Sequence, residues 1–415
     1  MSPTITRLTR LATAWDAALE HELPAAARLR EELHAAPCVS GHERPATDRL
    51  IAELGDVVAF EPVADAGAVG RIGPAVGAAI AVRAELDALP VTELTGAAFA
   101  ADNGAMHACG HDVHQAALVA LLRAARGLEL PVGLVPLLQP REESYPSGAL
   151  DIVDAGVLDR FAIAHVIGAH VHPGVPDGAV ASGGGFINAA ADEIEIRVRG
   201  RGGHAAYPHE ANDTVAAIAQ IALGIPEVVR RSVSPLRPAI ISIGTLTAGE
   251  GAANVLPAEA RIFATMRTTD PADRATLFAA VQDMAGRTAE AYGAVATVRR
   301  IEGEPALIND VALAAGADDW LTRLGVDGAQ PMRSLGADDF SYYCDAVPSL
   351  MLFVGVRTPG EDPQPALHHP RFLPDDAAVG TVARALMAGY LAAAERVLGI
   401  EHHRNDLAGP VGADA

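Results

Sequence analysis

Residues 107–114 read His-Ala-Cys-Gly-His-Asp-Val-His, placing a thiol, three imidazoles and a carboxylate within eight positions. Thiolate sulfur and neutral imidazole are borderline-soft ligands, better suited to zinc than to magnesium or calcium. The flanks of this stretch decide the fold. Behind it, Val113, Ala116, Ala117, Val119, Ala120, Leu121 and Leu122 recur at helical spacing up to about Arg126. Ahead of it, residues 75–82 form an apolar run, small on both faces, that empties into RAELDALP at 83–90. Such a run reads as a buried parallel strand, and a strand followed by a helix is the repeating unit of an α/β sheet. Open α/β sheets build their sites at the carboxyl ends of their strands, which makes Glu85 and Asp87 candidates. Asp112 near the helix start either accepts orphan backbone N–H groups or orients a ligating imidazole.

The arrangement recurs downstream. Residues 132–138 are another buried-strand pattern, ending in Gln-Pro-Arg-Glu-Glu at 139–143. Adjacent glutamates at a strand end can divide two tasks, one carboxylate binding a metal while the other takes a proton from water. A further run, 164–171, delivers His170, with His172 and Pro173 just beyond. Any one of these side chains reads equally well as a packed or surface residue. Three successive strand ends presenting metal-competent groups point to one site.

Composition bounds the rest. The 415 residues, half of them hydrophobic, suffice for two domains around a large core. A net charge of −21 argues against nucleic acid or an anionic membrane as a partner. The first residues include Arg7, Arg10, Asp16 and Glu20 and no long apolar run, so neither a signal peptide nor a membrane span is expected. Three scattered cysteines, Cys38, Cys109 and Cys344, suit a reducing cytoplasm rather than a disulfide framework. The absence of lysine excludes Schiff-base chemistry and the Walker phosphate loop.

The N-terminal part is helical in pattern through Leu19, Leu29, Leu33 and Leu50, with Pro24 expected to open a new helix and turn residues at 37–41 breaking it. From about 185 to 301 the texture changes. Residues 192–200 alternate cleanly, further strands are expected at 239–246, 260–268 and 294–300, and helices at 212–223 and 271–292. Strand, helix, strand, strand, helix, strand is the order of a ferredoxin-like α+β sandwich. Afterwards come a helix at 311–324, a strand at 350–356, His368-His369-Pro370 and a closing helix at 376–398, while the tail after about Asn405 is expected to be disordered. The fold class is therefore α/β. One domain (1–185 and 302–415), with a mixed, largely parallel sheet flanked by helices, carries a second, inserted α+β domain (186–301).

With these pieces in view, the chain resembles the amidohydrolase branch of the dinuclear metallopeptidases, which includes aminoacylases, hippurate hydrolases and plant auxin-conjugate hydrolases. The signposts follow the family's order: RAELDALP at Arg83, MHACGHDVH at Met106, LLQPREE at Leu137, GAHVHP at Gly168, GRGGHAAYPH at Gly200, AANVLP at Ala252, GADDFSYY at Gly336 and LHHP at Leu367. The resemblance implies that Cys109, His111, Glu143, His170 and His368 hold two divalent ions (zinc, manganese, cobalt or nickel), with Cys109 as the bridge. It implies that Glu142 is the general base, taking a proton from the water held there and handing it to the leaving amine. His204 is similar to the family histidine that stabilises the oxyanion, in dimeric members from the neighbouring subunit. Asn254 and Arg267 match positions that hold the substrate's free carboxylate, a task suited to an arginine fork. Asp87 and Asp112 are expected to orient ligands, and His114 either approaches the site or caps and packs. His369 leaves the last ligand ambiguous by one residue, and the family's spacing favours His368.

This chain departs from the family pattern at Glu85 (aspartate is usual), Val113 (glycine), Arg141 (alanine) and Asp338 (glutamate). None removes a ligand or the base, so these changes bear on the substrate rather than the reaction. The sequence reads as a cytoplasmic, metal-dependent amidohydrolase that cleaves small N-acyl amino acids to a carboxylate and a free amino acid. The resemblance also implies that 1–185 with 302–415 is the catalytic, metal-binding domain and 186–301 its lid, and that the chain dimerises through that lid. One alternative is a dipeptidase or carboxypeptidase on the same scaffold. The other, a non-catalytic metal-loaded binding protein, would have no use for Glu142.

Overall fold

The strands that deliver the metal-competent side chains lie side by side. In the computed structural model, which describes residues 3–249 and 251–399, seven strands form the main sheet. They are β1 (Phe60–Val63), β2 (Gly67–Gly70), β3 (Ala79–Glu85), β4 (Gly133–Gln139), β5 (Ile163–His172), β6 (Val180–Ala181) and β7 (Leu350–Gly355), in the spatial order β1-β2-β4-β3-β5-β7-β6. The central β4, β3, β5 and β7 run parallel, and the outer strands are antiparallel. β3, β4 and β7 are buried along their whole length, which is why they read as unbroken apolar runs. Being parallel, β3, β4 and β5 bring residues 85–87, 139–143 and His170 to the same edge.

On one face of this sheet α1 (Pro3–Ala35) packs over α2 (His111–Ala124) and α3 (Ala377–Val397), which meet the strands directly. Trp15 of α1 meets Tyr390 of α3 edge to face with ring centroids 5.4 Å apart. Its indole N–H donates to the carbonyl of Leu121 on α2 at 2.9 Å. By length and composition α3 could cross a membrane, but 83% of its most apolar window is buried inside the protein, so its apolarity serves the core. The helix break expected at Pro24 does not occur. α1 runs through it, because Trp15, Leu19, Ala26, Leu29 and Leu33 are all buried along one side and hold the helix across the missing N–H. The tail after about Asn405 lies outside the described residues.

The second sheet has the order Ala239–Ala248, Glu259–Thr268, Ala190–Arg199, Val295–Glu302, every neighbour antiparallel. Helices Thr214–Ser232 and Pro271–Ala291 pack on it, burying Ile194, Ile196, Val198, Ile218 and Leu277. This is the ferredoxin-like arrangement. The helix expected to end at 223 continues to Ser232, through Pro226. The chain enters and leaves this second unit through the paired segments Gly185–Asn188 and Leu307–Asn309, beside which Ala191 N–H donates to the Glu304 carbonyl at 2.9 Å.

Candidate metal centre

The centre is built on a turn that only glycine tolerates. Gly110, between Cys109 and the start of α2, has φ +81°, and a Cβ there would lie 2.4 Å from the Val171 side chain on β5. The close approach brings Cys109 Sγ to 3.4 Å from His170 Nε2. Ligand atoms of Cys109, His111 and Glu143 lie within 4.8 Å of one another, as do those of Glu85, His111, His114 and His170.

Hydrogen bonds select which ring nitrogens are free. His111 Nδ1 is held by the Asp87 carbonyl at 2.8 Å, leaving buried Nε2 without a partner and 3.7 Å from Glu142. His170 Nδ1 is held by the Val171 carbonyl at 2.7 Å, so Nε2 faces Cys109. His114 differs: Nδ1 bonds Glu85 at 2.9 Å and Nε2 accepts the Val171 N–H at 2.9 Å, so neither nitrogen is left for a metal. His368, with φ +66°, donates its backbone N–H to Ala108 at 2.9 Å and sets Nε2 3.2 Å from Glu143. His369 instead bonds the backbone N–H of Arg371 at 3.2 Å.

The electrostatics ask for cations. Burial, then Glu143 and Glu142, push the Cys109 thiol well above its usual range. Burial, then Glu143, Asp338 and Asp339, do the same to the Glu142 carboxyl. His111 is raised as well, to about 9, but against its burial and by Asp87, Glu85 and Glu143, so the protein's own charges favour a positive ring there. A thiol, imidazoles and carboxylates that repel one another as anions, beside an imidazole nitrogen with nothing to bind, fit two divalent ions.

Asp87 accepts from Ser40 at 2.7 Å and from the Glu143 backbone N–H at 2.9 Å, while its neighbouring carbonyl holds His111, so it braces two candidate ligands. Asp112 does neither task expected of it. It makes no cap bond and touches no ligating ring, because α1 offers stronger partners in Arg30 Nε (2.8 Å) and His34 Nδ1 (2.9 Å). His107 also turns away from the cluster. Its ring lies 6.4 Å from that of His34, and burial lowers it to about 3. The lid residues are apart from the cluster within one chain. His204 and Asn254 are exposed on or beside the ribbon formed by Gly203–His204 and Val255–Leu256, and Arg267 bonds its own strand through Thr265. None of the three lines the cavity of about 240 Å³ that holds the cluster.

The network behind Glu142 was missed in the sequence. Arg83 donates to Gln139 at 2.9 Å and to Asp339 at 2.8 Å, and Asp339 also accepts from Ser147 at 2.7 Å. Burial lifts Asp339 to about 7 even against Arg83. The signal was the second aspartate of GADDFSYY, overshadowed by the first.

A profile of Peptidase family M20/M25/M40 matches residues 81–389. The N-acetylcysteine deacetylase of Bacillus subtilis is 33% identical over 367 residues, 87% of this chain and 94% of that protein. The N-acetyldiaminopimelate deacetylase of Shouchella clausii is 34% identical over 311 residues, 74% of this chain and 81% of that protein. Among solved structures, the Bacillus subtilis YXEP protein, a dinuclear metal binding peptidase from the M20 family, matches with a TM-score of 0.78 at 29% identity. The match covers 90% of this chain and 98% of that one.

Proposed function

Because the chain belongs to peptidase family M20/M25/M40 and is a metal-dependent amidohydrolase, we propose that it cleaves the amide of N-acyl amino acids to a carboxylate and a free amino acid. The observation that carries this is the placing of Glu142 beside Cys109, Glu143, His170 and His368 in one cavity. In this reading Cys109, His111, Glu143, His170 and His368 hold the two ions. Once bound, they polarise the amide carbonyl and make hydroxide accessible near neutral pH. Glu142 takes the proton of the attacking water on its carboxylate and returns it to the departing nitrogen. Its carboxylate stands 3.7 Å from His111 Nε2, close enough to meet a water held there. Asp87 fixes His111 and Glu143.

Residues 186–301 act as the lid and 1–185 with 302–415 as the catalytic unit. His204, Asn254 and Arg267 engage the tetrahedral centre and the substrate carboxylate, with His204 arriving from a second copy in a homodimer. Support for the dimer comes from the lid's edge strand, Ala239–Ala248, which exposes Ile240, Ile243 and Leu246. Free Cys38, Cys109 and Cys344 accord with a cytoplasmic setting.

The test is release of free amine from N-acetyl, N-benzoyl, long-chain acyl and dipeptide substrates by metal-reconstituted wild type and Glu142→Ala. Wild type is expected to cleave acyl amino acids, and the variant to lose about 10²- to 10⁴-fold in rate while keeping its metal. Turnover of dipeptides alone would replace the substrate class. Equal inertness of both proteins with metal bound would remove the hydrolase reading.

A further inference from the structure

The cavity that holds the cluster has a wall the hydrolytic step does not use, formed by His172, Asn188, Met332, Ser334 and Phe353. Asn188, at the end of strand Gly185–Asn188, is only 8% exposed, and its Oδ1 is buried without any hydrogen-bond partner. A buried amide oxygen left unpaired is destabilising, and nothing in the surrounding fold offsets it. His172, just past the candidate ligand His170, is fixed differently. The backbone N–H of Gly174 donates to its Nδ1 at 2.9 Å, so the neutral ring carries its proton on Nε2 and presents a donor. The ring stands edge-on to Phe353, with centroids 6.1 Å apart.

Beside the Ser334 hydroxyl and the Asn188 NH2, and between Met332 and Phe353, the wall therefore presents the unpaired Asn188 Oδ1 as an acceptor and the His172 N–H as a donor. A carboxylate entering here would meet Asp338 and Glu142, which also line the cavity. An ammonium would meet the His172 N–H. A neutral group bearing its own donor and acceptor satisfies both. Resting on the amidohydrolase reading above, we propose that His172 and Asn188 determine specificity by selecting substrates that place a carboxamide or hydroxyl in this cavity.

The test compares pairs matched in shape: N-acetylasparagine with N-acetylleucine, N-acetylthreonine with N-acetylvaline, and glycoloyl with propionyl amides of one amino acid. Wild type is expected to favour the polar member of at least one pair by about tenfold or more in kcat/KM, because an unfilled buried polar group penalises the apolar member. Asn188→Leu, and separately His172→Phe, are expected to erase or invert that ratio, with the loss falling on kcat/KM for the polar member. Binding of the same pairs to metal-loaded Glu142→Ala, measured by calorimetry, reads the selection without turnover. No preference in that experiment, or an unchanged ratio in folded Asn188→Leu, overturns the proposal and leaves the hydrolase reading standing. A polar preference in binding with no hydrolysis by wild type would support the wall's role and sink the hydrolase reading instead.

Discussion

His114 shares a 4.8 Å neighbourhood with Glu85, His111 and His170, yet both its nitrogens are already bonded. It connects Glu85 on β3 to the Val171 N–H on β5, one residue from His170, and so braces a candidate ligand without joining it. His114→Ala is accordingly expected to weaken metal binding by about 10- to 100-fold, the usual cost of losing a supporting partner, while full loading persists at saturating metal. His111→Ala and His170→Ala should each lose loading outright. Competition with a chromophoric chelator reads all three, and loss of a metal equivalent in His114→Ala at saturation would make it a ligand. The same titration separates the C-terminal pair: His369→Ala should load like wild type and His368→Ala should not. This scale was half legible in the sequence. Residue types and strand ends identified Cys109, His111, Glu143 and His170 as a cluster. Which nitrogen each ring offers depends on the carbonyls of Asp87 and Val171, and no spacing along the chain encodes that.

Between elements, α1 and α2 are clamped by buried charge. Arg30 and His34 on α1 both grip Asp112, one residue beyond candidate ligand His111, and Arg30 reaches on to Asp376 before α3 at 2.9 Å. Burial alone would raise the Asp112 carboxyl, but Arg30 and His34 hold it well below the usual range. Burial alone would lower His34, but Asp112 and Glu93 raise it from 6.5 to about 9. The sign follows from linkage. His34 contributes its full stabilisation below about pH 6.5 and loses it as pH rises through about 9, whereas Asp112 fails only in strong acid. The stability gap between wild type and His34→Gln should therefore be largest near pH 6 and close by about pH 10. It should amount to a few kcal/mol at most, since a tenfold change in proton affinity is worth about 1.4 kcal/mol. Urea unfolding across that range decides it, and a gap independent of pH would mean His34 acts through packing alone. Element positions were legible: the runs at 132–138, 164–171 and 239–246 lie within two residues of the observed strands. The clamp was not, because its partners stand 78 and 82 positions apart in the chain, and Pro24 misled because tertiary burial outweighs one lost hydrogen bond.

At the scale of the whole molecule, the candidate metal cluster and the lid residues proposed to complete it belong to separate sheets, and in one chain His204 does not line the cavity. Either the lid closes within one subunit or a second copy supplies His204. The exposed Ile240, Ile243 and Leu246 of the edge strand Ala239–Ala248 favour the second. Complementation distinguishes the two. Glu142→Ala and His204→Ala homodimers should each be nearly inert. Co-expressed, they pair at random, and half the dimers carry both chains. In each such dimer the subunit with intact Glu142 receives His204 from its partner, so roughly a quarter of wild-type activity should return. If His204 serves its own subunit, every site in the mixture lacks one group and no activity returns. Ile243→Asp on the edge strand supplies the converse. It should yield monomers in sedimentation and a fall in kcat without loss of metal, whereas full activity in a monomer would locate the closing residues within the chain itself.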